Sequence, residues 1–308
     1  MSLVITGAAG FIGSNLLHNL IDIYDSEIVV IDYLTDASDV DNVPEFVNLY
    51  PVDIADRYTV DEIFHKHRPE YVFHLAAESH VDNSIEDCTP FVETNVIGTI
   101  NLMNAALEND VKKFMHISTD EVYGALGEHD PSFTENTPYD PQNPYSASKA
   151  SSDHFVKAYV NTYNLPAVIT NCSNNFGPRQ SSEKFIPKAI TNLLRGQKVV
   201  VYGEGKEIRD WLYVQDHCEA LIEVWKKGEI GENYNIGGGT ELNNLAVVSK
   251  ILTYMKKDYS DIEFVKNRPG HDFRYSIDCQ KIEKDLGWKS RFDFDRALIE
   301  TIEWYENR

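Results

Sequence analysis

Tyr145 and Lys149 stand four positions apart in the run Tyr145-Ser146-Ala147-Ser148-Lys149. On a helix, positions i and i+4 share a face. The ammonium is therefore expected to favour the phenolate and to lower the tyrosine pKa toward the working pH. A phenolate so placed is a base for a hydroxyl that gives up hydride. Upstream, Thr119-Asp120-Glu121 follows an apolar strand. Two adjacent carboxyl groups can be acid and base at once, which one group cannot; the alternative is a pair of solvated acids in a turn.

The elements that hold these side chains begin with Leu3-Val4-Ile5, a short apolar strand. It runs straight into Thr6-Gly7-Ala8-Ala9-Gly10-Phe11-Ile12-Gly13 and a helix from Phe11 to Tyr24. Gly7 allows a tight turn, Gly10 lets the backbone approach a pyrophosphate, and Gly13 lets helix and strand pack closely. The helix N-terminus, with Phe11 and Ile12 in its first turn, offers free N–H groups to phosphates. Asp32 ends the next strand, Ile28 to Ile31. A carboxylate there accepts the adenosine ribose hydroxyls and repels a 2′-phosphate, so NAD is expected over NADP. Thr35 is expected at the same edge. Leu75-Ala76-Ala77 is small and apolar, which suits a strand end lying against the cofactor, and Lys149 can also hold the nicotinamide ribose.

Strand and helix signals alternate through the first half. Strands are expected at Tyr71–Leu75, Phe114–Ser118 and Ala167–Thr170, and helices at Val60–His67, around Pro90–Asn109 and from about Pro144 to Tyr163. This rhythm predicts an α/β fold with a Rossmann-type, doubly wound parallel sheet. After about Cys172 turns become denser and helices shorter, which suggests a smaller C-terminal α/β substrate lobe. The expected division gives residues 1–172 to an NAD-binding domain, with 212–236 returning to it. Residues 173–211 and 237–308 then form the substrate-binding lobe.

Composition narrows the partners. Among 308 residues, 49 Asp and Glu outnumber 28 Lys and Arg, for a net charge of -21. Such a chain gains nothing from counterion release on nucleic acid, and an anionic substrate must be held by local Arg, Lys and backbone N–H groups. Cys88, Cys172, Cys218 and Cys279 are scattered, with no CxxC pair; neither a disulfide framework nor a metal site is expected. No apolar run is long enough to span a bilayer and no leader pattern is present, so a cytoplasmic location is expected.

The glycine loop and the Tyr–Lys pair are similar to those of the extended short-chain dehydrogenase/reductase superfamily. Asp120-Glu121 resembles the acid/base pair of its dTDP-glucose 4,6-dehydratases. The resemblance continues through His74–Asp82 (HLAAESHVD), Tyr145–His154 (YSASKASSDH), Asn171–Pro178, Arg209–Val214 (RDWLYV) and Arg268–Tyr275 (RPGHDFRY). It implies three stages. C4 is oxidised as Tyr145 takes the hydroxyl proton and Thr119 bonds the C4 oxygen. Water leaves as Glu121 removes the C5 proton and Asp120 protonates the C6 hydroxyl. Hydride then returns to C6. It further implies Asp53-Ile54 at the adenine, and Asn175, Arg209, Arg268 and His271 at the pyrophosphate. Ser79 and Asn174 would lie on the substrate side, and Glu183, Lys184 and Pro187 near thymine.

For Arg209 and Arg268 the alternative is a surface ion pair, and for His271, Lys206 and Arg179 the two readings stand level. Tyr123 and Tyr139 are expected to pack on the cofactor or fill the lobe interface. The resemblance also implies a homodimer built from the helices near 90–109 and 144–163. Asn83 departs from the family's usual arginine, for which altered packing or subunit contacts are expected. Three other readings compete. A UDP-sugar 4-epimerase is opposed by Asp120-Glu121. A UDP-glucuronate decarboxylase typically has Ser where this chain has Asp120. A non-enzymatic NAD sensor often lacks the Tyr–Lys pair.

Overall fold

The computed structural model describes residues 2–266 and 272–308. In chain order the strands are β1 (Ser2–Thr6), β2 (Glu27–Ile31), β3 (Asn48–Tyr50), β4 (Tyr71–His74), β5 (Lys113–Thr119), β6 (Ala167–Cys172), β7 (Asn174–Phe176), β8 (Val199–Tyr202), β9 (Ile208–Tyr213), β10 (Asn233–Ile236), β11 (Glu241–Asn243), β12 (Ile262–Val265) and β13 (Arg274–Tyr275). Seven of them form one parallel sheet in the order β10-β6-β5-β4-β1-β2-β3. Both faces of that sheet are covered, so its strands read as continuous apolar runs. Alternate residues of β1 serve opposite cores. Leu3 and Ile5 pack with Leu16, Leu17 and Phe73, while Val4 packs with Phe64, Val72, Leu102 and Phe114.

The chain leaves this sheet after β6. β7 pairs in parallel with β9, and β11 and β13 flank β9. The helix Val214–Lys227 then carries the chain back, and β10 adds itself to the edge of β6.

The helix expected around Pro90–Asn109 is corrected. It is α-helical over Thr89–Phe91, π-helical over Val92–Gly98 and α-helical again over Thr99–Glu108. A π turn inserts one residue per turn, which hydrophobic spacing does not reveal. The segment is tightly seated: a Cβ at Gly98 would come within 2.5 Å of the Ile54 side chain.

The helix Pro144–Tyr163 has sharp ends for legible reasons. Asn143 and Ser146 form a capping box, Pro144 takes the first helical position, and Asn164 closes the helix in the left-handed region at φ 56°. Its inward face is small or polar, with Ser146, Ser148, Lys149, Ser152 and Asp153 all buried.

Candidate active site

A cleft opens at the carboxyl ends of β1, β4, β5 and β6, where ligands of open parallel sheets bind. Its cofactor end is a backbone cradle. Gly7 sits at φ 73°, and a Cβ there would lie 2.6 Å from the Ala76 nitrogen. A Cβ on Gly13 would lie 2.1 Å from the Gly7 oxygen. Gly10 caps the first helix with no side chain, and that helix has no acid in its first turn. The N–H groups are left to an anion such as a dinucleotide pyrophosphate, and this geometry fits NAD. Gly7, Gly10, Phe11, Ile12 and Gly13 all line the cleft, with Thr35, Asp53 and Ile54 at the same end.

Asp32 also faces the cleft and is almost fully buried. Its Oδ2 accepts from the Ala9 N–H at 2.8 Å, and its Oδ1 from the Leu34 N–H and Ser38 Oγ at 2.9 Å each. The carboxylate thus ties the glycine loop to the β2–β3 loop.

Leu75, Ala76 and Ala77 line the middle of the cleft. Their path is fixed from below. Thr6 Oγ1 accepts from the Ala76 N–H at 3.1 Å and bonds His74 Nδ1 at 2.8 Å. Asn95, from the π-helical turn, accepts from the Glu78 N–H at 2.8 Å. It donates to the Glu78 carbonyl at 3.0 Å and to Ser148 Oγ at 2.8 Å. This one buried asparagine locks the strand-end loop to the helix that carries Tyr145. The sequence assigns no role to Asn95 or to its partner Ser148, because a single Asn in an apolar helix carries no spacing signal.

Thr119, Asp120, Glu121, Tyr145 and Lys149 line the cleft together. Thr119 Oγ1 lies 3.3 Å from Asp120 Oδ1 and accepts from the Glu121 N–H at 3.3 Å. Glu121 Oε2 accepts from Asn143 Nδ2 at 3.5 Å. Burial, then the Glu121 charge, then Asp210 raise the Asp120 carboxyl well above the ordinary range. Burial also raises Glu121, but the Asn143 hydrogen bond and the Arg209 and Lys184 charges pull against it.

Tyr145 reverses the expectation drawn from its spacing. Burial and then the Glu121 carboxylate push its phenol pKa well up, with a hydrogen bond to Thr119 acting the other way. Lys149 donates to the Ile117 carbonyl at 2.8 Å, and burial lowers its own pKa. Four-residue spacing identifies a neighbour on the same helix; it says nothing of the carboxylates that the end of β5 brings to the phenol.

On the substrate side, Ser79, Asn174, Asn175 and Lys184 line the cleft, whereas Glu183 and Pro187 do not. Lys184 Nζ donates to the Ser79 carbonyl at 3.1 Å, joining the segments that follow β4 and β7. Arg209 is buried behind the carboxyl pair. Its guanidinium donates to the carbonyls of Ile208 and Asp272 at 2.8 and 3.0 Å and stacks on Tyr275. Arg268 and His271 lie outside the described residues. Asn175 Oδ1 bonds the buried His217 at 2.9 Å, a partner that no motif announced. Tyr123 and Tyr139 are internal props: their hydroxyls donate to Asn235 at 2.8 Å and Asp153 at 2.9 Å. Arg179 donates to Asn15 at 3.1 Å, and Lys206 pairs with Glu204 on the surface.

Comparison with known proteins adds to this geometry. A family model described as GDP-mannose 4,6 dehydratase matches residues 4–301. A dTDP-glucose 4,6-dehydratase of Haemophilus influenzae is 46% identical over 331 aligned positions, covering 99% of this chain and 98% of that protein. The solved structure of a dTDP-glucose 4,6-dehydratase from Streptomyces venezuelae, with NAD and TYD bound, is 40% identical with a TM-score of 0.95. It covers 100% of this chain and 97% of that one. A UDP-glucose 4-epimerase from Thermotoga maritima with UDP-glucose reaches the same TM-score of 0.95 at 29% identity, over 100% of this chain and 99% of that one. Backbone shape is common to both activities, so the side chains at the cleft discriminate.

Proposed function

This chain belongs to the dTDP-glucose 4,6-dehydratase family, and on that premise we propose that Asp120 and Glu121 divide the elimination of water between them. The protein is an NAD-dependent lyase acting on dTDP-glucose. The observation that carries the division of labour is the unequal setting of two adjacent carboxyl groups in one cleft. Asp120, buried and beside other acids, keeps its proton and is the acid for the C6 hydroxyl. Glu121, held by Asn143 and facing Arg209 and Lys184, is the readier to ionise and takes the C5 proton.

NAD, when bound, would supply a reversible hydride acceptor and a positive nicotinamide ring, a charge that opposes the burial and the Glu121 carboxylate that raise the Tyr145 phenol. Tyr145 accepts the C4 hydroxyl proton, Thr119 holds the C4 oxygen, and Lys149 orients the ribose. Asp32 and Asp53 read the adenosine, and Asn174, Asn175, Ser79 and Lys184 hold the sugar diphosphate, with Arg209, Arg268 and His271 in support. Glu183 and Pro187 belong to the outer, nucleobase end. Incubating the protein with NAD and dTDP-glucose, with UDP-glucose in parallel, tests the reading by mass spectrometry. Loss of one water from dTDP-glucose without NADH accumulation is expected; an isomer of unchanged mass would replace the lyase reading with an epimerase.

We assign residues 1–172 and 212–236 to the cofactor domain, a division supported by the return of β10 to β6. Residues 173–211 and 237–308 are the substrate lobe. The protein acts as a homodimer through the helices near 90–109 and 144–163, where Val92, Ile97, Phe155 and Tyr163 are exposed, with Ile85 beside them. Asn83 is exposed on the same short helix as Ile85 and so belongs to that contact. Light scattering on the purified chain tests this. The cytoplasm is its proposed location, in keeping with four unpaired cysteines.

A further inference from the structure

We infer that Asp153 is a positioning residue for the oxidation step: its buried carboxylate, without a direct ion pair, is the counter-charge that keeps the Lys149 ammonium protonated one turn along the helix from Tyr145. Lys149 and Asp153 are four residues apart on the inward face of the helix Pro144–Tyr163, and both are buried. They grip consecutive residues of β5. Lys149 Nζ donates to the Ile117 carbonyl at 2.8 Å. The flanking side chains, Ser118 Oγ at 2.9 Å and His116 Nε2 at 3.0 Å, go to Asp153.

Two more donors reach the same carboxylate, Tyr139 OH at 2.9 Å and Asn171 Nδ2 at 3.4 Å. A carboxylate that receives four donors is an anion. It also fixes His116 as the Nε2–H tautomer, because an ionised carboxylate only accepts; His116 Nδ1 is buried without a hydrogen-bond partner and carries no proton.

The remaining titratable groups facing the pair leave the charge balance to these two. His74 on β4 and His116 on β5 are held neutral by burial. Cys172 on β6 is pushed up to about 12 by burial, and Tyr139 and Tyr123 are pushed up as well. Asp120 and Glu121 stand on the cleft side, next to Tyr145. Asp153 is therefore the carboxylate that acts on the Lys149 ammonium, while the Asp120–Glu121 pair acts on Tyr145. An ammonium buried without a partner sheds its proton instead of bearing the desolvation cost. Asp153 is what lets Lys149 stay charged where the ribose and Tyr145 need it.

The inference rests on Tyr145 and Lys149 acting as assigned above. A merely structural role for Asp153, fastening helix to sheet, predicts a lower melting temperature and nothing else. The discriminating experiment uses the NAD-loaded full chain and its Asp153→Asn and Asp153→Glu variants. It follows the pH dependence of C4 oxidation, read as reduced NAD in a single turnover, together with KM on dTDP-glucose and the ionisation of Lys149 by NMR of isotope-labelled lysine. In Asp153→Asn the Lys149 titration is expected to fall by at least about one pH unit. The alkaline limb of the C4 oxidation rate, a step that does not use Asp120, should move down with it while KM stays within about twofold, and Asp153→Glu should restore both.

A Lys149 titration and an alkaline limb unmoved in Asp153→Asn overturn the proposal, whatever the melting temperature does. Should Asp153→Asn not fold, the wild-type titration decides. A Lys149 already uncharged at neutral pH leaves Asp153 nothing to balance and overturns it; a charged one upholds it. Tyr145→Phe is run in parallel with Asp153 intact. Full turnover there removes the assignment of Tyr145 and is read independently of the Lys149 titration.

Discussion

Asp120 and Glu121 are adjacent in sequence, yet Glu121 Oε2 lies 3.5 Å from the Asn143 amide while Asp120 Oδ2 is buried without a hydrogen-bond partner. The two acids therefore ionise in order, Glu121 before Asp120. On the division of labour proposed above, turnover needs Glu121 ionised and Asp120 protonated, so kcat should rise with pH through the first and fall through the second. Both groups are raised, which sets both limbs of the bell above the ordinary carboxylate range. A pH series of kcat checks this; a rate that climbs steadily into alkali would remove Asp120 as the acid.

Glu121→Gln keeps the shape of the side chain and the contact with Asn143 but removes the proposed base. Turnover should drop by about two to four orders of magnitude, while oxidation at C4 still proceeds. Absorbance of reduced NAD in a single-turnover mixture, alongside mass spectrometry of the sugar, separates the two events. Water loss at the normal rate would reassign the base.

Asp32→Ala should erode the preference for NAD over NADP by about tenfold or more, because the repulsion of a 2′-phosphate is gone. It should also loosen the loop, since Ala9, Leu34 and Ser38 lose a common acceptor. Cofactor titration with both dinucleotides measures the first effect; an unchanged preference would separate Asp32 from the ribose.

Asp210 gives a prediction about stability. It is buried, and its pKa is raised from 3.8 to about 6, chiefly by burial. Between those values the folded chain keeps a proton that the unfolded chain has lost. Stability contributed by the protonated form is thus present below 3.8 and is lost as pH rises through about 6. The loss is about 3 kcal/mol in full above that window. Asp210→Asn is neutral at every pH and can still accept the Thr240 N–H, now at 2.9 Å. Its melting temperature should exceed that of the wild type at neutral pH and match it in acid. Equal melting curves at neutral pH would show that Asp210 pays no such penalty.

Gly13→Ala should prevent cofactor binding or folding, because the added methyl would sit 2.1 Å from the Gly7 carbonyl oxygen. Backbone on both sides of that contact leaves nothing flexible to yield. Expression yield and NAD content of the purified variant measure the outcome.

The sequence made some of this legible and hid the rest for physical reasons. The helix Pro144–Tyr163 can be bounded to the residue, since Asn143, Pro144 and Asn164 each suit one terminal backbone position. The glycine loop is equally plain, because only three glycines at that spacing permit the approach of strand, helix and pyrophosphate. What spacing along one element cannot convey is who arrives from another. The raised pKa of Tyr145, the burial of Arg209 against the Ile208 and Asp272 carbonyls, the Asn95 clamp and the four donors converging on Asp153 all depend on pairs distant in sequence. The π turn at Val92–Gly98 escaped because its hydropathy is that of an ordinary helix.

The return of β10 to β6 has a bearing on how the protein is made. All six residues of β6 are buried, and its outer edge is satisfied by Gly231, Glu232 and the strand Asn233–Ile236, some sixty positions later. Until that segment leaves the ribosome, a nascent chain carries an unpaired, apolar parallel edge of the kind that recruits other chains. The interval between synthesis of β6 and β10 is thus a period of exposure to misassembly. Expression that slows translation there, or a fragment that stops before Asn233, should accumulate as aggregate, whereas supplying the missing strand in trans offers a route to rescue.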